Sequence, residues 1–251
     1  MIYIRYIFMS ISFLGNNTSY IRVPNNDGLN FGTQDFTVEW FQYQTDTNTM
    51  PRIYQRGYPT NWAGFIILTT PAGYYVLYDN TIFRIPINPY KNKWVHFAIC
   101  RLAGRTTLYL NGDRMFWRYP DTYTYTNTDD LFIGNDITLA SNKAFGGYLY
   151  YFHYIKGVAK YTSDFTVSIA MVSAIPETVL LITADGASGS LGHTIINNAG
   201  TFDIKPPPPT TLPVNMKSLF TDNSRVYYKK GSLAPGGSGG VRNYRKKARK
   251  T

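Results

Sequence analysis

Two glutamates, Glu39 and Glu177, are the only ones in this 251-residue chain. Hydrolysis of a glycosidic bond needs two carboxyls flanking the bond, about 5–5.5 Å apart for a retaining reaction. On a strand such a pair falls at i and i+2 or i+4, which share a face. Glu39 has no acid at 37, 41 or 43, and Glu177 has none at 179 or 181. Asp129 and Asp130 are neighbours, so on a strand they point to opposite faces. The three histidines, His96, His153 and His193, lie far apart and show no metal-ligand spacing. Cys100 is the single cysteine and sits in an apolar run. It can form no intrachain disulfide and reads as a buried thiol rather than a nucleophile. The expectation is therefore no enzyme: no catalytic residues, no metal site and no cofactor.

Other residue types suit binding. A sugar site needs exposed aromatics to stack on a ring face, with amides or acids for the hydroxyls. Tyr58, Asn61 and Trp62 in RGYPTNWAG form one candidate glycan loop. Trp117, Tyr119, Tyr123 and Tyr125 form another. The third set is cationic. Residues 1–205 carry 15 basic against 14 acidic side chains, whereas residues 206–251 carry ten against one. Lys229, Lys230, Arg242, Arg245, Lys246, Lys247, Arg249 and Lys250 make this end an arm for polyanions or an acidic partner surface. No stretch is long and apolar enough to span a bilayer, including the N-terminal MIYIRYIFMSISF.

The elements that must hold these residues are strands. Tyr (22), Phe (15) and scarce Glu favour sheet over helix, so few helices are expected. FTVEWFQYQ (36–44) alternates, placing Phe36, Val38, Trp40 and Gln42 on one face and Thr37, Glu39, Phe41 and Tyr43 on the other. Further strands are expected over 19–24, 52–57, 65–70, 74–79, 83–87, 131–134, 146–160 and 177–185, with 193–204 closing the body. Pro86 marks its run as an edge or a strand end. Residues 94–116 form a three-stranded meander, turning at Ala103-Gly104 and at Asn111-Gly112. Its faces carry Val95, Phe97 and Ile99, then Leu108 and Leu110, into one core. Residues 117–130 and 161–176 read as loops. Short strands at this spacing make an all-β, two-sheet antiparallel sandwich. The expected divisions are an N-terminal extension or extra strand (1–9), the sandwich (10–205), a Pro-rich spacer (206–213) and a Gly-hinged basic arm (214–251).

Four phrases carry a family resemblance. They are SISFLGNNTSYIRVPNNDGLNFGTQDFTVEWFQY, NKWVHFAICRLAGRTTLYLNGDR, LFIGND with FGGYLYYFHYIKGVAKYTSDF, and PETVLLITADGASGS. In this order the chain resembles the concanavalin A-like lectin/glucanase (laminin-G-like) sandwich, over about residues 10–204. The resemblance implies a jelly-roll topology, which spacing does not supply. The glucanase signature Glu-x-Asp-x-x-Glu is missing. His96 stands where the family carries a packed structural residue after Trp. Some laminin-G domains bind Ca²⁺ through loop aspartates; Asp113, Asp136 and Asp185 lie in loops here but do not match that site.

The closing strand and the VRNYRKKARKT ending are similar to those of structural proteins of phages and large icosahedral DNA viruses. That resemblance implies a minor capsid component of a virion, assembled in the host cytoplasm. Its arm would bind neighbouring capsid proteins, nucleic acid or another polyanion. The other expectation is a lectin-like module recognising glycans on a host surface or capsid.

Overall fold

Alternation in 36–44 and the two tight turns of the meander dictate the centre of the molecule. The computed structural model describes residues 10–45, 48, 50–57, 66–69, 74–78, 82–86, 91–168, 172–183, 186–188 and 196–197. Its strands are β1 (Ile11–Leu14), β2 (Ile21–Val23), β3 (Phe36–Gln44), β4 (Arg52–Arg56), β5 (Ile66–Thr69), β6 (Tyr74–Tyr78) and β7 (Ile82–Pro86). The second half holds β8 (Trp94–Leu102), β9 (Arg105–Leu110), β10 (Asp113–Arg118), β11 (Leu131–Ile133), β12 (Gly146–Lys156), β13 (Thr178–Thr183), β14 (Gly186–Ser188) and β15 (Ile196–Asn197). The helical content of the described residues is two three-residue 3-10 turns, Asp27–Leu29 and Ser141–Lys143.

The strands form two antiparallel sheets. The larger runs β10-β9-β8-β3-β12-β13-β14, with β1 also on β12. The smaller runs β15-β2-β11-β4-β5-β6-β7. Pro86 ends β7, the outermost strand of the smaller sheet, where its missing N–H costs no ladder bond. Both meander turns put two residues in the left-handed region: Ala103 (φ 47°) with Gly104 (73°), and Asn111 (50°) with Gly112 (85°). Such turns match the twist of the strands they join.

Phe36, Val38, Trp40, Val95, Phe97, Ile99, Leu108 and Leu110 face the smaller sheet and pack there with Ile53, Tyr54, Leu131 and Ile133. Trp40 stacks on Phe97 at 5.0 Å, and its Nε1 donates to Gln42 Oε1 at 2.8 Å. Tyr54 stacks on Phe152 from the opposite sheet at 5.6 Å.

The other face of the larger sheet is also covered, and here the expected elements need correction. β12 stops at Lys156 rather than running to 160. Gly157, with φ 89°, turns the chain, and residues 157–168 fold back over the sheet as a strap. Ala159, Tyr161 and Phe165 of this strap pack on Ala98, Cys100 and Tyr109. Cys100 is buried as expected, but under the strap rather than between the sheets. Likewise β10 extends through Arg118, so Trp117 lies on a strand and not in a loop.

Candidate functional site

One end of the sandwich gathers the β2–β3 loop, the β8–β9 turn and the β10–β11 loop. Gly32 and Tyr125 exchange backbone hydrogen bonds at 3.0 and 2.8 Å. Asp121 N donates to Gly104 O at 2.7 Å, and Ala103 N donates to Asp35 Oδ1 at 2.8 Å. Arg56, at the end of β4, spends its guanidinium on the same loops. It donates to Leu29 O, Asn30 Oδ1, Asn25 Oδ1 and Asn127 O at 2.6–2.9 Å, and to Asp129 O at 3.3 Å.

Asp121 is the hub of the β10–β11 loop. Its Oδ2 accepts from the Thr106 hydroxyl, from Tyr125 Oη at 2.8 Å and from Arg118 Nη2 at 2.8 Å. Arg101 Nε lies 3.9 Å away, and Arg101 Nη2 donates to the Asp121 carbonyl at 2.7 Å. Burial pushes the Asp121 carboxyl up; the bonds from Thr106, Arg118 and Tyr125 and the Arg118 charge outweigh it and hold the group below its ordinary value.

This network fixes an aromatic surface beside it. A bulge at Met115 resets the alternation of β10, so Phe116 opposes Leu108 and Trp117 opposes Thr107. Trp117 therefore points away from the intersheet core and is 51% exposed; Tyr119 is 60% exposed. The Arg105 guanidinium sits over both rings, 5.2 Å from the Trp117 centroid and 5.6 Å from that of Tyr119. Among the sequence candidates, Trp117 and Tyr119 thus form one platform. Tyr125 is a correction: it is buried, with its hydroxyl on Asp121, and Tyr123 packs on it at 4.9 Å. Arg105 was not a candidate, although a two-residue turn at 103–104 places it at the start of β9. Tyr58, Asn61 and Trp62 lie outside the described residues, as does the whole basic arm. At the same end, Asp27, Asn30, Phe31, Thr33, Gln34 and Lys156 are among the residues that line an open groove of about 420 Å³.

A second cluster brings together side chains that the sequence keeps apart. Under the strap, Glu39 accepts from His153 Nδ1 (3.2 Å), Lys160 Nζ (2.6 Å) and Tyr161 Oη (2.8 Å). His96 Nε2 lies 3.4 Å from Glu39 Oε2 and 3.2 Å from the Tyr151 hydroxyl. Burial pushes the Glu39 carboxyl up, but hydrogen bonds from His153 and His96 and the charge of Lys160 hold it far below the usual carboxylate range. Burial lowers His96, which favours its neutral form. Glu39 and His96 are fully buried, so the cluster fastens the strap to the sheet instead of meeting a ligand. No group of three or more His, Cys, Asp or Glu side chains among the described residues is placed to hold a metal ion. The Asp136 carboxylate is spent locally on Thr138, the Ala140 N–H and Lys143.

Two antiparallel sheets with an exposed aromatic pair at the end of an edge strand define a lectin-like β-sandwich. Residues 14–159 match the family model described as the Concanavalin A-like lectin/glucanases superfamily, and the chain belongs to that family. Among solved structures, it is similar to a Bacteroides ovatus protein with an inferred carbohydrate-binding role. The identity is 17% and the TM-score 0.55, over 79% of this chain and 62% of that one. It is also similar to the heptameric SAP-like pentraxin of Limulus polyphemus, at 14% identity and TM-score 0.51, over 79% of this chain and 96% of that one. At these identities the likeness is one of fold. A search of curated protein sequences found no match.

Proposed function

We propose that this protein is a non-catalytic glycan-binding module whose ligand lies across the Trp117–Tyr119 platform. The observation that carries the reading is this exposed aromatic pair at the end of a braced edge strand. Large apolar side chains exposed together are costly to leave in water unless something covers them. A pyranose face supplies a cover of that size, and amide and hydroxyl groups suit its rim. Membership of a lectin and glucanase family supports the reading, although fold alone does not assign function.

The test is a glycan array on the full chain, followed by titration of hits against Trp117→Ala and Tyr119→Ala. Each variant is expected to weaken binding by about tenfold or more with an unchanged melting temperature, since central aromatic anchors carry most contact energy. No saccharide bound, or saccharide binding indifferent to both changes, would refute it.

A second reading rests on the arm of ten basic and one acidic side chains. In it the chain is a minor virion component, and the arm crosses to neighbouring capsid subunits or to nucleic acid. Cross-linking mass spectrometry on native particles tests it: links from Lys229, Lys230, Lys246 or Lys247 to a shell protein support the reading, and their absence removes it.

A further inference from the structure

We infer that the saccharide taken by this platform is anionic, and that Arg105 meets its carboxylate or sulfate group. The inference rests on the glycan reading above and deepens it. Arg105 is exposed, and its side chain makes no ion pair or hydrogen bond with any described residue. Its guanidinium carbon lies over the Trp117 and Tyr119 rings, 5.2 and 5.6 Å from their centroids. A cation–π contact draws on the charge and is not a conventional hydrogen bond to an acceptor, so the N–H groups still have acceptors to find in a ligand.

Two acids close to the platform are already engaged, while Asp27 lies apart in the groove. Asp121 is buried and turned inward onto Thr106, Tyr125 and Arg118, and Asp35 accepts from the Ala103 backbone. Arg101 and Arg118 are held by Asp121, whereas Arg105, the cation set over both rings, is open to an incoming anion. A carboxylate or sulfate matches the guanidinium fork in geometry and charge, and contact with the two rings reduces the freedom that the side chain must lose on binding. A neutral hydroxyl uses one of those donors and gains nothing from the charge. The two anion sources, uronate or sialate carboxylates and sulfate esters, share this chemistry.

The experiment uses the full chain and three matched pairs: sialyllactose with lactose, polygalacturonate with its methyl ester, and dextran sulfate with dextran. The charged member of at least one pair is expected to bind, and the pair that does so identifies the anion. Arg105→Gln is expected to weaken that binding about 10- to 100-fold, the span of a lost charge-assisted hydrogen bond, with Arg105→Lys in between. The basic arm also attracts polyanions, but it is identical in all variants, so the difference between them reads the platform. Arg105 is exposed, and equal melting temperatures check that Arg105→Gln folds. If Trp117→Ala weakens binding while Arg105→Gln does not, or Arg105→Gln weakens both members of a pair equally, the anionic inference falls and the glycan reading stands. If neither change affects any saccharide, both fall.

Discussion

Changing Asp121 to Asn tests whether one buried carboxylate braces the platform. The substitution keeps shape but removes the charge between Arg101 and Arg118, whose side chains are 4% and 17% exposed. It also replaces an acceptor by an amide that presents N–H groups to the donors of Thr106, Tyr125 and Arg118. Removing one partner of a buried ion pair costs about 3–5 kcal/mol, because the remaining charge stays desolvated. For a domain of this size that is a fall of roughly 6–20 °C in melting temperature. The pH dependence gives a sharper check. The folded Asp121 carboxyl lies below its ordinary value of 3.8, so its stabilisation is complete above that pH and is lost as pH falls through the folded value. Over that window the wild type loses up to about 1.4 kcal/mol per pH unit through this group, and Asp121→Asn does not. Urea unfolding of both proteins at pH 7, 4 and 3 measures the difference, which should narrow only below pH 4. A cost under about 1 kcal/mol at pH 7, or a gap independent of pH, would refute the bracing role.

Three further outcomes follow from the packing. Glu39→Gln should cost about 3 kcal/mol at pH 7 in urea unfolding, since it strips the anion from His153, Lys160 and His96 under the strap. Because Glu39 is held far below its ordinary value, that penalty should shrink as pH drops below about 4.5. Gly112→Ala should lower stability by about 2–4 kcal/mol: φ there is 85°, and a Cβ would lie 1.9 Å from the Phe165 carbonyl oxygen. Its melting temperature against wild type checks this. Burial pushes the Cys100 thiol up to about 11, so a disulfide reagent at pH 8 should leave the native protein unmodified and label one thiol in denaturant.

Local signals made most of the sandwich legible. Strict alternation gave β3 both its faces, and Ala103-Gly104 and Asn111-Gly112 gave the meander its two turns, because those patterns reflect chemistry within a few residues. The smaller sheet's edge was readable from Pro86 for the same reason. Where β12 ends was not: IKGVAK continues the apolar run, and only the left-handed Gly157 diverts it into the strap. The site was half legible. Trp117 and Tyr119 stand out by type, but the bulge at Met115 that turns Trp117 outward has no signature in the sequence, where that residue reads as loop. Tyr125 resembled its exposed neighbours until Asp121 claimed its hydroxyl. The Glu39 cluster was invisible because residues 39, 96, 153 and 160 meet only once β3 lies between β8 and β12.

That arrangement of strands also has a consequence for synthesis on the ribosome. β3 pairs on one side with β8 and on the other with β12, whose first residue, Gly146, follows Gln44 by about a hundred positions. At 5–20 residues per second, the β12 side of β3 waits roughly 5–20 s for its partner to be made. During that interval the nascent chain offers an unpaired strand edge flanked by Phe36, Trp40 and Phe41, a surface suited to holding by a chaperone. The meander of β8, β9 and β10 closes through neighbours in sequence and can form first, serving as the template on which the older strand is held until the younger one arrives.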